Sequence, residues 1–196
     1  MIKVGLTGNI GSGKSTVCKI FETMGVPVFY SDTQAKKLYL RQEVKEQLFN
    51  QFGNSVFNNL KEIDFKKLAT VIFSNRNSLD FINRLIHPLV FESYQKWLDG
   101  HQQDSYTLHE SAILFEHHLE KKFDKTIVVY CPQEIRIRRI LKRDEVSENE
   151  ILKRISNQMN DQRKNSLADF VVINDGIRMI LPQILEIDHQ LTQAVL

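Results

Sequence analysis

Gly8-Asn9-Ile10-Gly11-Ser12-Gly13-Lys14-Ser15 decides how the rest of this chain is read. The stretch satisfies G-x-x-x-x-G-K-[ST], the Walker A pattern of a phosphate-binding loop, or P-loop. Its glycines permit backbone turns closed to other residues, so successive N–H groups can converge on phosphate oxygens. Lys14 supplies a point charge to the β- and γ-phosphates, and the Ser15 hydroxyl is placed to ligate Mg2+. A helix starting near Gly13 adds the positive end of its dipole. A dinucleotide-binding G-x-G-x-x-G starting at Gly11 is rejected, because Thr16 occupies the last glycine position and Lys14-Ser15 would be left unexplained.

The flanks fit the motif. Ile2, Val4 and Leu6 begin a short strand that stops at Gly8, and Val17, Ile20, Phe21 and Met24 recur at helical spacing until Gly25. Val26 to Tyr30 reads as a second strand, with Pro27 near its start. Strand, loop, helix, strand is a βαβ unit, which implies a parallel sheet. Further strands are expected at Tyr106–Glu110, Thr126–Cys131 and Phe170–Ile173, and a terminal helix from about Gly176 to Ala194. The middle of the chain is polar and helical around Phe49, Phe52, Phe57, Leu60, Phe65, Leu68 and Phe73, aromatics and leucines most simply read as core. Pro88 interrupts a helical pattern from Leu79 to Leu98, so a kink or two abutting helices are expected.

The expected fold is therefore α/β: a P-loop NTPase core with a parallel sheet of about five strands flanked by helices. Core segments are read at residues 1–32, 103–135 and 166–196, with an inserted helical acceptor lobe at about 33–102 and a helical lid at about 136–165. With 26 Lys and Arg against 24 Asp and Glu the net charge is +2, which excludes a polyanion binder that works by bulk charge. Any anion site must be local, and neither nucleic acid nor a membrane is an expected partner. Cys18 and Cys131 lie far apart without metal-ligand spacing, so a reduced cytoplasmic compartment fits best. The longest apolar run, Ile127 to Cys131, is far short of a membrane span, and the first residues lack a secretory pattern. A monomer or weak homo-oligomer is expected.

A kinase built on a P-loop needs a base for the acceptor hydroxyl, a lobe for the acceptor and cations for the transferring phosphoryl group. Asp32, after the second strand, reads either as that base or as the N-cap of a helix over Thr33 to Leu40, a role Ser31 could share. Arg136-Ile-Arg-Arg-Ile-Leu-Lys-Arg143 carries five cations in eight residues. At 100° per residue Arg136, Arg139 and Arg143 share one face, with Ile137, Ile140 and Leu141 on another. Arg138 and Lys142 read as solvated, whereas Arg139 and Arg143 are candidates for neutralising phosphates from a lid. Glu110 closes the third strand, where a Walker B acid would act on Mg2+ or a carboxylate would cap the next helix. His87 reads as structural or catalytic.

These motifs, taken in order, resemble the dephospho-coenzyme A kinase family along nearly the whole chain. Val4 to Thr16 looks like that family's loop, and Tyr30-Ser-Asp32 resembles its Asp-Ala-Asp motif, keeping only the second aspartate. Leu85-Ile-His87-Pro88 is similar to its His-Pro segment, and Ala112-Ile-Leu-Phe-Glu116 to its Pro-Leu-Leu-Phe-Glu motif. Arg139 with Arg143-Asp144 looks like its lid segment, Arg154 and Gln158 like the following helix, and Asn174-Asp-Gly176 like the turn after its last strand. Tyr30, Ala112 and Glu110 depart from it: the family often has aspartate, proline and aspartate there.

The resemblance implies ATP-dependent phosphorylation of the ribose 3′-hydroxyl of dephospho-coenzyme A, giving coenzyme A and ADP. It implies that Gly8, Asn9, Ile10, Gly11, Ser12, Gly13, Lys14, Ser15 and Thr16, with Arg143, Asn174 and Gly176, bind ATP. Ser15 and Glu110 would hold Mg2+, Asp32, Lys14 and Arg139 would act in catalysis, and Asp32, His87, Glu116 and Arg139 would contact the acceptor. Another P-loop kinase for a nucleoside monophosphate or metabolite shares every local feature. A nucleotide-dependent switch is the rival of a different class, although the Asn-Lys-x-Asp guanine-reading motif of GTPases is not found.

Overall fold

A computed structural model describes residues 1–193, apart from the side chain of Phe73. The chain divides into two compact units, Met1–Tyr30 with the chain from His101 onward, and Ser31–Gly100. The first unit is built on five parallel strands: β1 (Ile2–Thr7), β2 (Val28–Tyr30), β3 (Tyr106–Glu110), β4 (Lys125–Tyr130) and β5 (Phe170–Ile173). Their order across the sheet is β2-β3-β1-β4-β5. β1 is the central strand, with Leu6 opposite Glu110 of β3 on one side and Ile127 of β4 on the other. All strands run the same way, so their carboxyl ends share one edge, and strand order reverses beside β1. Ligands of open α/β sheets bind at such a switch point.

Helix α1 (Lys14–Thr23) buries Val17, Cys18 and Phe21 against the sheet. Terminal helix α9 (Ile180–Gln193) covers the same core with Ile184, Ile187 and Leu191. Ala194, the expected end of that helix, lies outside the described residues. Tyr106 packs edge-on to Phe21 and donates its hydroxyl to Asp188 at 2.5 Å, tying β3 to α9. Beyond β4 come α6 (Gln133–Arg143), α7 (Glu148–Ser156) and α8 (Asp161–Leu167). A capping box starts α7: Ser147 N–H donates to the Glu150 carboxylate, and Glu150 N–H donates to the Ser147 hydroxyl. No helix among the described residues is long and apolar enough to cross a membrane.

The second unit is helical: α2 (Ser31–Leu38), α3 (Gln42–Phe52), α4 (Phe65–Ser74) and α5 (Arg76–Asp99). Its described backbone pairs only at the isolated antiparallel bridge Phe57–Ile63. Two local expectations are corrected. Helix α2 starts at Ser31, directly after β2, so Asp32 stands inside its first turn rather than at an N-cap. There its charge favours the positive end of the helix dipole. Of the two outcomes expected at Pro88, two abutting helices are set aside, for α5 is one 24-residue helix. Pro88 and Arg84 both face solvent, so the carbonyl that loses its partner lies on the wet side. The central apolar residues are unevenly buried. Leu68 and Phe57 are interior, while Phe49, Phe65 and above all Leu60 are exposed, with Phe65 packed edge-on to Tyr39 and Phe49 to Phe57.

His109 lies in the sheet opposite Gly5, with the rings of Phe29 and Phe123 on either side at 5.1 and 5.0 Å. Burial lowers its imidazole from the usual 6.5 to about 3. Between these values the unfolded chain takes up a proton that the folded protein does not, so stability falls as pH falls. From pH 6.5 to 5 this one site removes up to about 2 kcal/mol. Urea unfolding at the two pH values should show this loss in the native chain and a correspondingly shallower one in His109→Leu. Equal pH slopes would contradict the assignment.

Candidate active site

The P-loop spans the gap between the end of β1 and α1, and its carbonyls are held by side chains. The Gly8 carbonyl accepts from Lys14 Nζ at 3.0 Å, and the Ile10 carbonyl from Arg136 Nη1 at 3.4 Å. The Ser12 carbonyl accepts from Asn174 Nδ2 at 2.7 Å and Arg139 Nη1 at 3.5 Å. Tying these carbonyls to cations and an amide keeps their negative ends from opposing an incoming anion. The Lys14 and Ser15 amides open the first turn of α1, where helix amides face outward and are suited to phosphate, while the Thr16 N–H donates to the Gly13 carbonyl at 3.0 Å. Gly13, which precedes that turn, has φ 95°, and a Cβ there would collide with Asn174 Nδ2. Only glycine meets both demands.

Lys14 lies 3.7 Å from Glu110, both largely buried at the carboxyl edge of adjacent strands. Ser15 and Thr16 open to solvent on the first turn of α1. Cys18, one turn further on, is fully buried. Burial first and the Glu110 carboxylate second push its thiol well above the ordinary range, so it is a core residue rather than a nucleophile. Burial likewise raises the Tyr30 phenol, helped by Cys18 and by a hydrogen bond with Glu22.

The arginines of α6 part company, which corrects their grouping on one charged face. Arg136 is only 1% exposed. It donates through Nε to the Cys131 carbonyl at 3.0 Å and through Nη2 to Asp161 at 2.7 Å. Arg136 and Ile140 lie one turn apart and form the buried stripe, while Leu141, expected on the apolar face, is exposed. A guanidinium can occupy that stripe because acceptors meet its fork. Arg139 is half-buried and joins the loop to the last strand's end, donating to Ser12 O and Asn174 Oδ1. Arg143 is exposed and forks onto the neighbouring Asp144 at 2.7 and 2.9 Å.

Asn174, just beyond β5, is buried and bridges Ser12 and Arg139, while Gly176 sits exposed in the following turn. Glu116 Oε1 accepts from Met159 N–H and from Lys164 Nζ, both at 2.8 Å. Lys164 is 1% exposed, and burial lowers its ammonium below the usual range against the pull of Glu116. The first unit thus brings together the P-loop, Glu110, Arg139 and Asn174. Asp32 and His87 belong to the second unit, Asp32 exposed in α2 and His87 half-buried in α5.

A model of the dephospho-CoA kinase family matches residues 2–179. The chain belongs to that family. A dephospho-CoA kinase of Bacteroides fragilis strain YCH46 is 39% identical over 195 residues, which span 99% of this chain and 95% of that protein. The solved structure of TT1252 from Thermus thermophilus is similar at TM-score 0.86 and 31% identity, over 96% of each chain. A Campylobacter jejuni dephospho-CoA kinase, 22% identical, shares the fold at TM-score 0.69 over 99% of this chain and 98% of that one.

Sequence reasoning about this dephospho-CoA kinase family member passed over Asp161 and Lys164 and grouped Arg136 on one charged face with Arg139 and Arg143. The usable signal was the spacing of Arg136 and Ile140, which puts an arginine on a buried helical stripe. In Gly13→Ala, the displaced Asn174 should release Ser12 and lower affinity for a fluorescent ATP analogue at least about ten-fold, the weight of a lost hydrogen bond plus backbone strain. Equilibrium titration checks this, and unchanged affinity would detach Gly13 from nucleotide binding.

Proposed function

We propose that this member of the dephospho-CoA kinase family transfers the γ-phosphoryl group of ATP to the ribose 3′-hydroxyl of dephospho-coenzyme A, giving coenzyme A and ADP in the cytoplasm. ATP-dependent phosphorylation of dephospho-CoA, a step of coenzyme A biosynthesis, follows from membership of the family. The observation that carries the site reading is the P-loop with its carbonyls tied back to Lys14, Arg136, Arg139 and Asn174. That arrangement suits a polyphosphate and leaves Lys14 beside the carboxylate at the end of β3.

In this reading Lys14 and the first-turn amides bind the β- and γ-phosphates, and Arg139 holds the loop in register while offering charge to the transferring group. Ser15 and Glu110 present a hydroxyl and a carboxylate, the hard oxygen ligands that Mg2+ takes in ones and twos alongside phosphate oxygens. Bound there, Mg2+ would neutralise charge on the phosphates. Asp32, two residues beyond β2, serves as the base that orients the acceptor hydroxyl and takes its proton. His87 and Glu116 assist in holding the acceptor, Glu116 through a carboxylate already oriented by Lys164. Arg143, Asn174 and Gly176 complete the nucleotide contacts, with Arg143 exchanging Asp144 for phosphate.

ADP formation with Mg2+-ATP should depend on dephospho-coenzyme A and be absent with AMP or CMP. Acceptor-free hydrolysis should be slow, because closure around both substrates excludes water. Asp32→Ala should lower kcat by ~10²–10⁴-fold, the usual contribution of a general base. Turnover with a nucleoside monophosphate would overturn the substrate, and an active Asp32→Ala enzyme would overturn the base.

A further inference from the structure

The P-loop is gripped at its tip by residues far along the chain. Gln158 Oε1 accepts from Ile10 N–H at 2.9 Å, and Asn9 Nδ2 donates to Asp161 Oδ1 at 2.7 Å and to the Met159 carbonyl at 3.1 Å. Asp161 Oδ2 accepts from Arg136 Nη2, whose Nη1 reaches the Ile10 carbonyl. Inside the loop, Ser12 N–H donates to the Asn9 carbonyl at 3.0 Å. The peptide between residues 9 and 10 is therefore held at both its oxygen and its N–H, and the next peptide is held at its oxygen. Helix α6 closes in so tightly that a Cβ on Gly11 would stand 2.9 Å from the Arg136 carbonyl.

The 158–161 turn joins α7 to α8 and is itself fixed to the chain after β3, for Met159 N–H and Lys164 Nζ both donate to Glu116. Lys164 Nζ donates also to the Ala112 carbonyl at 3.1 Å. We infer that Gln158 and Asp161 are positioning residues for ATP: they lock the Asn9 and Ile10 peptides in the phosphate-binding arrangement and so link nucleotide affinity to the turn between α7 and α8. The physical ground is pre-organisation. Peptide planes already clamped lose no further freedom when phosphate arrives, and a loop free to turn a carbonyl inward would lose affinity. Asp161 does this through both oxygens, orienting Asn9 with one and Arg136 with the other. An asparagine there would set an NH2 group against one of two donors.

The inference rests on the reading of this loop as the ATP site, and the test separates the two. The full chain and its Gln158→Met, Asp161→Asn and doubly substituted forms are titrated with a fluorescent ATP analogue. Steady-state KM values for ATP and dephospho-coenzyme A and melting temperatures are measured alongside. Each single change should raise Kd and KM for ATP about ten-fold, the scale of one lost buried hydrogen bond. KM for dephospho-coenzyme A and kcat at saturating ATP should stay within about two-fold, since the acceptor is not held by these peptides. The double variant should fall short of the product of the two effects, as both act on the same peptides. Native-like ATP affinity in Gln158→Met would overturn the proposal. So would a parallel rise in both KM values with a falling melting temperature, which is the mark of residues that only hold the fold. A native chain that fails to bind the analogue would instead overturn the reading of the loop.

Discussion

Three carbonyls of the P-loop point at side-chain donors, and most of the first unit is arranged so that those donors are there. Lys14 turns back on Gly8, Arg136 reaches Ile10, and Asn174 with Arg139 meets Ser12. A loop that must offer N–H groups to an anion has to dispose of its carbonyls elsewhere, because a buried unpaired carbonyl costs as much as a lost hydrogen bond. The donors come from the helix after the loop, the helix after β4 and the turn after β5. The two helices lie in separate crossovers of the sheet, and the turn follows its last strand in the chain.

That demand explains why β1 must be the central strand. With β3 on one side and β4 on the other, the loop that leaves β1 is flanked by the carboxyl ends of both neighbours: Glu110 at one edge and the Cys131–Arg139 segment at the other. The buried cations arise from the same geometry. Arg136 and Lys164 are almost without exposure, yet each meets a carboxylate and at least one backbone carbonyl. Removing one partner from such a buried pair typically costs about 3–5 kcal/mol, whereas the pair as a whole contributes little net stability. They are better understood as devices of geometry than of stability.

Much of this could be read from residues alone, and the reason is local periodicity. The Gly8–Ser15 pattern, the alternation of β1, the apolar runs of β4 and β5 and the stripe of α1 each carry their signal within a few residues. The errors came where a local rule had a competitor. Asp32 looked like a cap because acidic residues favour helix starts, but β2 runs into α2 without a loop. Pro88 left two abutting helices open as well as a kink, but at its exposed position one helix runs through it. By helical periodicity Arg136 shares a charged face with Arg139 and Arg143, but folding buries it among three acceptors.

By itself the sequence determined the phosphate-binding loop, the parallel α/β class and the family, because those depend on residue type at short spacing. Only the tertiary structure decided what holds the loop. Asn9 meets Asp161, Ile10 meets Gln158 and Ser12 meets Asn174 across more than a hundred residues of chain. No periodicity links such positions. They become neighbours only when the sheet sets its strands in the order β2-β3-β1-β4-β5 and brings the carboxyl ends of β1, β4 and β5 to one edge.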